Sequence, residues 1–193
     1  MIIPRLNLNR DSLVIEIASN DGCLLQQFKD RKIPVLGIEP AINTAEAARE
    51  RGIVTETVFF NTETAISLSK KNVLGALVIG NNVLAHNPDL NDFVEGLRIV
   101  LRSGGTITME FPHLLTLLRE NQFDTIYHEH FSYFSLHSVV SLFRAHRLDI
   151  FHVEEIPTHG GSLRIYAHHA DDRSRSATGT VEVMSDVGCR MSD

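Results

Sequence analysis

Short apolar runs alternate with segments whose apolar positions recur every three or four residues over the first 170 residues of the chain. That alternation predicts an α/β fold with a doubly wound sheet. Leu13 to Ile17 and Val35 to Ile38 read as the first two strands, with Leu24, Leu25 and Phe28 on one face of the helix between them. Asn43 or Thr44 is expected to cap the next helix, Ala47 and Ala48 to face inward, and Gly52 to end it. A weaker third strand follows from Ile53 to Val58, and Asn61 is the expected cap of a helix through Ser69.

Ala76 to Ile79 predicts the fourth strand, ending in Gly80, Asn81 and Asn82. Leu90, Phe93, Val94, Leu97 and Leu101 then follow the spacing of a core-facing helical stripe, and Ser103, Gly104 and Gly105 turn the chain into a fifth strand, Thr106 to Phe111. Leu114 to Glu120 reads as a short helix. Ser135 caps another, whose inner face is Leu136, Val139, Val140 and Phe143. Leu148 to Ile156 and Ser162 to His169 are separated only by Pro157 to Gly161, a connection too short for a parallel crossover. The expected sheet is therefore mostly parallel with an antiparallel last strand. Residues 171–193, rich in Ser, Asp, Arg and Gly, are expected to be a poorly ordered polar tail behind one domain at 1–170.

The ends of the first two strands carry the first chemistry. VIEIASNDG runs from Val14 to Gly22, and GIEP from Gly37 to Pro40 places Glu39 17 residues after Gly22. A tight turn there brings backbone N–H groups close to a ligand, and a carboxylate at the tip of the second strand accepts both ribose hydroxyls of an adenosyl group. ASNDG keeps one glycine of the GxGxxG pattern, which argues against a clamped pyrophosphate and for S-adenosylmethionine. Candidate cofactor-binding residues are Glu16, Asn20 and Asp21 for the methionine end, with Ala18 and Gly22 in the turn. Glu39 and Pro40 are assigned to the ribose and Phe59 or Phe60 to the adenine. Asn81, Asn82 and His86 follow the fourth strand, at the sheet edge where α/β domains meet their ligands. Either carboxylate alone reads equally as a solvated strand end; the spacing of the pair favours a cofactor.

The richest polar cluster is FDTIYHEHFSYFS, from Phe123 to Ser135. Proton abstraction needs an imidazole or carboxylate base and donors for a developing oxyanion, and Tyr127, Glu129 and His130 supply those types. A metal reading rests on His128 and His130 sharing one face of an extended segment, without a third ligand at fixed spacing. A polar loop carrying core aromatics is the structural alternative. In THGGS, Thr158 to Ser162, a tight glycine connection alone explains the pattern, with His159 as a further pocket candidate.

Composition narrows the partners. A net charge of −6 gives no basic surface on which to expect phosphate-backbone binding, so no nucleic acid and a small-molecule partner are expected. Cys23 and Cys189 are too few for a disulfide framework or a thiolate metal site. No apolar run approaches the roughly 20 residues of a membrane span, and the start of the chain lacks a signal-peptide pattern, so no membrane contact and cytoplasmic residence are expected.

EIASNDG, GIEP, NNVLAH, EFPHLL, NQFDTIYHEHFSYFS and THGGSLR follow one another between Leu13 and His169. Together they resemble the S-adenosylmethionine-dependent sugar C-methyltransferases, which methylate C3 of nucleotide-linked 4-keto deoxysugars. The resemblance implies a class I methyltransferase (Rossmann-like) fold, S-adenosylmethionine as methyl donor and a nucleotide-sugar as substrate. It implies that His130 is the general base that removes the C3 proton, with Tyr127, Glu129 and His86 placed around the sugar. The carbanion would then attack the methyl group in line with the departing sulfur. Members of that family also carry an N-terminal zinc-binding domain with cysteine pairs and a C-terminal domain that helps hold the nucleotide. By this resemblance the chain is the central cofactor-binding domain, natural or truncated; Cys23 stands where the family usually has an aromatic. The competing reading is a truncated or degenerate module that binds S-adenosylmethionine without catalysis. A dinucleotide-dependent dehydrogenase is disfavoured by the missing glycines and the antiparallel last strand.

Overall fold

β1 (Val14–Ile17) is buried along its whole length because its two faces meet two different apolar clusters. The computed structural model describes residues 2–172; most of the expected polar tail, and Cys189 with it, lies outside the described residues. Around β1 stand β2 (Val35–Ile38), β3 (Thr55–Glu56), β4 (Gly75–Asn81), β5 (Leu101–Pro112), β6 (Leu148–Ile156) and β7 (Ser162–His169), in the order β3-β2-β1-β4-β5-β7-β6. The strands from β3 across to β5 pair in parallel, and β7 is antiparallel to both β5 and β6. The last strand thus inserts between its neighbours in the reverse direction, as the short 157–161 connection required. The order reverses between β1 and β4, which makes the carboxyl edge of those two strands the place for a ligand.

Side chains alternate across each strand, so each face gathers its own helices. Ile15, Ile17, Val78, Ile107, Met109 and Ile165 face α4 (Thr62–Lys70), α5 (Leu90–Val100) and α7 (Leu136–Ala145). The inner stripe of α5 is Phe93, Val94, Leu97 and Val100, and that of α7 is Leu136, Val139, Val140 and Phe143. Val14, Leu77 and Ile79 face the smaller cluster, with α2 (Cys23–Lys29) and α3 (Ile42–Glu50) above them. Truncating a fully buried aromatic such as Phe93 is worth about 3–5 kcal/mol in such a core.

Two local expectations are corrected, and one element is added. α3 starts at Ile42 with Ala41 as its capping residue, so Asn43 and Thr44 fall inside its first turn and Ala45 replaces Ala47 on the buried face. The cause lies upstream: the Glu39 carboxylate already takes the Ala41 N–H (2.9 Å), which fixes where the helix enters. β5 begins at Leu101, which pairs with Gly75 before a register shift; Ser103 to Gly105 form an irregularity within the strand rather than a turn before it. A four-residue helix, α1 (Ile2–Arg5), has no sequence signature, and Ile2 and Ile3 lie against the smaller cluster. Among the described residues no helix is long and apolar enough to cross a membrane.

Candidate active site

The turn after β1 stores backbone strain. Ala18, Asn20 and Gly22 take positive φ values of 56°, 50° and 73°, alternating with residues of ordinary hand. Asn tolerates this region and Gly has no preference against it, whereas for Ala18 it costs about 1–2 kcal/mol. Such strain collects where a fold must present backbone groups to something. Gly22 is needed for a second reason, since a Cβ there would lie 2.9 Å from Ile53 Cγ1. The turn is pinned by the Ser19 N–H on the Ile38 carbonyl (3.2 Å) and the Gly22 N–H on the Ser19 carbonyl (3.0 Å).

Glu39 closes this turn from below. It is buried, and its two oxygens accept the N–H groups of Asn20 (3.0 Å) and Ala41 (2.9 Å), so the carboxylate is fixed between the β1 and β2 turns. Pro40 follows, half-buried. Glu16 is equally buried but differently satisfied: its Oε2 has no hydrogen-bond partner. Burial, reinforced by the charge of Asp21, pushes the Glu16 carboxyl up to about 8. Ser19 Oγ and Asn82 Oδ1 are also buried without a partner. The uncompensated Glu16 Oε2 and Ser19 Oγ at the end of β1 fit a ligand that brings a cation and hydrogen-bond donors, as the ammonium of S-adenosylmethionine does.

Other cofactor candidates divide. Asp21 accepts the Cys23 N–H (3.2 Å) and pairs with Arg51 (2.9 Å) on the surface, so it ends the turn and holds α3. Phe60 is part of the core, edge-on to Phe93 with ring centroids 5.5 Å apart, which corrects its assignment to the adenine. Phe59 is exposed and remains the aromatic of the pair accessible to a ligand. Asn81 and Asn82 separate across the sheet edge. Asn81 lines a cavity of about 280 Å³ with Leu24, Phe28, Ile79, Thr108 and Arg164, on the face that Glu16 shares with its register partner Ile79. Asn82, with φ 52° and its N–H on the Glu110 carbonyl (2.8 Å), lines a different cavity of about 300 Å³.

That second cavity collects the candidate catalytic groups. His86, from the helical turn after β4, and Tyr127 and His130, from the loop before α7, line it with Ala85, Pro112, Asp124, Thr125 and His159. The loop is tied to the β4 turn by the Phe131 N–H on the Ala85 carbonyl (2.9 Å). His130 Nδ1 lies 2.8 Å from the Thr125 carbonyl, which only accepts, so Nδ1 carries the proton. The other nitrogen, Nε2, faces the Tyr127 hydroxyl at 3.2 Å, and in the neutral ring it is the acceptor. The rings of Tyr127 and His86 flank that of His130, with centroids 4.3 and 4.8 Å away.

Glu129 is not brought to this cluster: its side chain is exposed, outside the cavity lining, 3.9 Å from the exposed His128. Thr125 carries its role through a backbone carbonyl and so leaves no trace in residue type. Asp124 had a signal, a carboxylate within the same motif, and His159 had its place in THGGS.

Residues 2–153 match a family model described as a methyltransferase domain. Over 167 residues the chain is 38% identical to the C-methyltransferase NovU of Streptomyces niveus, a stretch covering 86% of this chain and 40% of that protein's length. An S-adenosylmethionine-dependent methyltransferase from Anabaena variabilis superposes with a TM-score of 0.66 at 14% identity, over 87% of this chain and 82% of that one. A magnesium protoporphyrin IX methyltransferase from Synechocystis, solved with bound S-adenosylhomocysteine, superposes with a TM-score of 0.62 at 13% identity, over 81% of this chain and 73% of that one. These structures share the class I methyltransferase fold with the present chain.

Proposed function

The chain belongs to the methyltransferase-domain family, and from that premise we propose that it is an S-adenosylmethionine-dependent C-methyltransferase acting on a nucleotide-linked 4-keto deoxysugar. Residues 1–170 form the cofactor-binding domain in this reading. The observation that carries it is the fixed tautomer of His130 in a cavity beside the β4 edge. When bound, S-adenosylmethionine supplies a methyl group made electrophilic by its sulfonium. Glu39 holds the ribose, Glu16 and the 18–22 turn hold the methionine end, and Phe59 covers the adenine.

The chain's own residues generate the nucleophile. His130 Nε2 takes the proton from the carbon next to the substrate ketone, and the Nδ1–H bond to Thr125 steadies the imidazolium that forms. Tyr127, released from Nε2, and His86 donate to the oxygen on which charge develops. Two measurements test the reading. In D2O without cofactor, the wild-type chain exchanges the proton at the carbon next to the ketone and His130→Gln does not. Saturating S-adenosylmethionine raises the melting temperature, by the equivalent of about 2.7 kcal/mol at 100 times Kd, and Glu39→Ala removes that rise. An unchanged melting curve for the wild type counts against the assignment.

A second reading, a module that binds S-adenosylmethionine without turnover, is favoured by the position of Glu129 outside the cavity. It predicts the thermal shift without proton exchange.

A further inference from the structure

The turn between β6 and β7 is built with more constraint than a connection needs. Its Thr158 hydroxyl donates to Glu110 Oε1 (2.9 Å), and Glu110 is itself buried and paired with Arg164 through its other oxygen (2.8 Å). The Ser162 hydroxyl and the Gly161 N–H both donate to the Thr158 carbonyl (3.0 and 2.9 Å). From α6 (Leu114–Arg119) and the segment around it, Gln122 Nε2 donates to the Gly160 carbonyl (2.7 Å), and the His113 N–H donates to the Gly161 carbonyl (3.0 Å).

All this holds one residue in an unfavourable shape. His159 sits at φ 51°, ψ 39°, ahead of two glycines that also have positive φ. A connection with no other task would place glycine or asparagine there at lower cost. His159 also lines the cavity that contains His86 and His130. The other two imidazoles contact each other or Tyr127, whereas among the described residues no hydrogen bond or ring contact holds the imidazole of His159. A rigid mount for a side chain without a protein partner is how a fold presents a group to a ligand.

We infer that His159 is a substrate-binding residue that donates a hydrogen bond to an anionic substrate oxygen, with Thr158 as its positioning residue through Glu110. The inference rests on the reading of the cavity as the site of a carbon-acid substrate. The oxygen has two sources with one chemistry, the enolate formed at the ketone or a phosphoryl group of the nucleotide portion that the sugar retains, and kinetics separates them. An enolate contact exists only as charge develops, so its loss lowers kcat; a phosphoryl contact exists in the ground state, so its loss raises KM.

The experiment compares the wild-type chain with His159→Gln, Thr158→Val and Thr158→Ser, using a thymidine-diphosphate 4-keto-6-deoxysugar as probe and proton exchange and methyl transfer as readouts. His159→Gln is expected to lower kcat roughly 100-fold if the enolate is the partner, or to raise KM roughly 10-fold if the phosphoryl group is. Thr158→Val, with His159 still present, shifts the same parameter in the same direction by a smaller factor, and Thr158→Ser restores it. S-adenosylmethionine binding stays unchanged in all three. Wild-type-like kinetics for His159→Gln overturns the inference while leaving the proposed function intact. A wild-type chain that neither binds nor exchanges the probe overturns both.

Discussion

The two halves of the sheet's carboxyl edge are made differently. On the proposed cofactor side, Glu16 and Glu39 are buried side chains at strand ends, and the turn after β1 is fixed by backbone hydrogen bonds and by the Glu39 carboxylate and is closely packed against Ile53. On the proposed substrate side, Tyr127 is 41% exposed, His130 stands on a loop attached through a few carbonyl contacts, and His159 stands on an exposed turn tied to the sheet by the Thr158 hydroxyl on Glu110. The first half is part of the folding core and the second is mounted on it. Substitutions on the cofactor side therefore change stability together with binding, while those on the substrate side change chemistry and leave the fold nearly intact.

The largest effect that would sharpen this contrast is on Glu16. Its carboxyl is raised in the folded chain to about 8 from an ordinary value of 4.5. Below 4.5 both states hold the proton and the stability is fully present. Between 4.5 and 8 the unfolded chain ionises while the folded one does not, so stability falls as pH rises, by on the order of 5 kcal/mol. Denaturant unfolding at pH 5 and pH 8 is expected to show about two-thirds of that loss in the wild type and a much flatter profile in Glu16→Gln. Equal slopes for the two proteins would mean that Glu16 is not the group whose ionisation lowers the stability.

Next comes His130→Gln, the corresponding break on the substrate side. The rate is expected to fall 10²–10⁴-fold, while the melting temperature falls by no more than roughly 2–4 °C, because only the partly exposed bonds to the Thr125 carbonyl and the Tyr127 hydroxyl are lost. A large drop in melting temperature would mean that the loop is part of the core after all, and the contrast would fail.

How well each half was legible follows from the same difference. Strand-end residues are readable because burial imposes a pattern: the runs at Val14–Ile17 and Val35–Ile38 locate the turns, and the turns locate Glu39 and Gly22. Phe59 and Phe60 were not separable, because two adjacent aromatics at the exit of a two-residue strand carry no periodicity to say which faces inward. On the substrate side the motif named His130 and Tyr127 but also Glu129, since residue types alone do not say which side of a loop meets the cavity. Thr125 acts through its carbonyl, which every residue has. His159 lies in a glycine connection whose constraint shows only when Glu110, 48 residues earlier, is seen holding Thr158.

Gly22→Ala tests the cofactor side again at smaller scale. The substituent meets Ile53 at 2.9 Å and the backbone stays at φ 73°, so the chain is expected to lose about 2 kcal/mol, or roughly 4–8 °C in melting temperature. Affinity for S-adenosylmethionine, followed by isothermal titration, falls with it, because the same turn carries both properties. Unchanged stability would show that the turn relaxes freely and is not part of the core.

Tyr127→Phe is the smallest change and separates the halves most cleanly. It removes one hydroxyl, 3.2 Å from His130 Nε2, from a residue that is 41% exposed. Stability should move by less than about 0.5 kcal/mol. The rate of proton exchange should fall roughly 10-fold, the value of one hydrogen bond to a group that becomes charged. If the hydroxyl served only to hold the empty loop in place, thermal stability and His130→Gln kinetics would shift in parallel with it. If it meets the enolate, the double variant Tyr127→Phe, His130→Gln loses little more than His130→Gln alone, because the charge that Tyr127 stabilises is never formed.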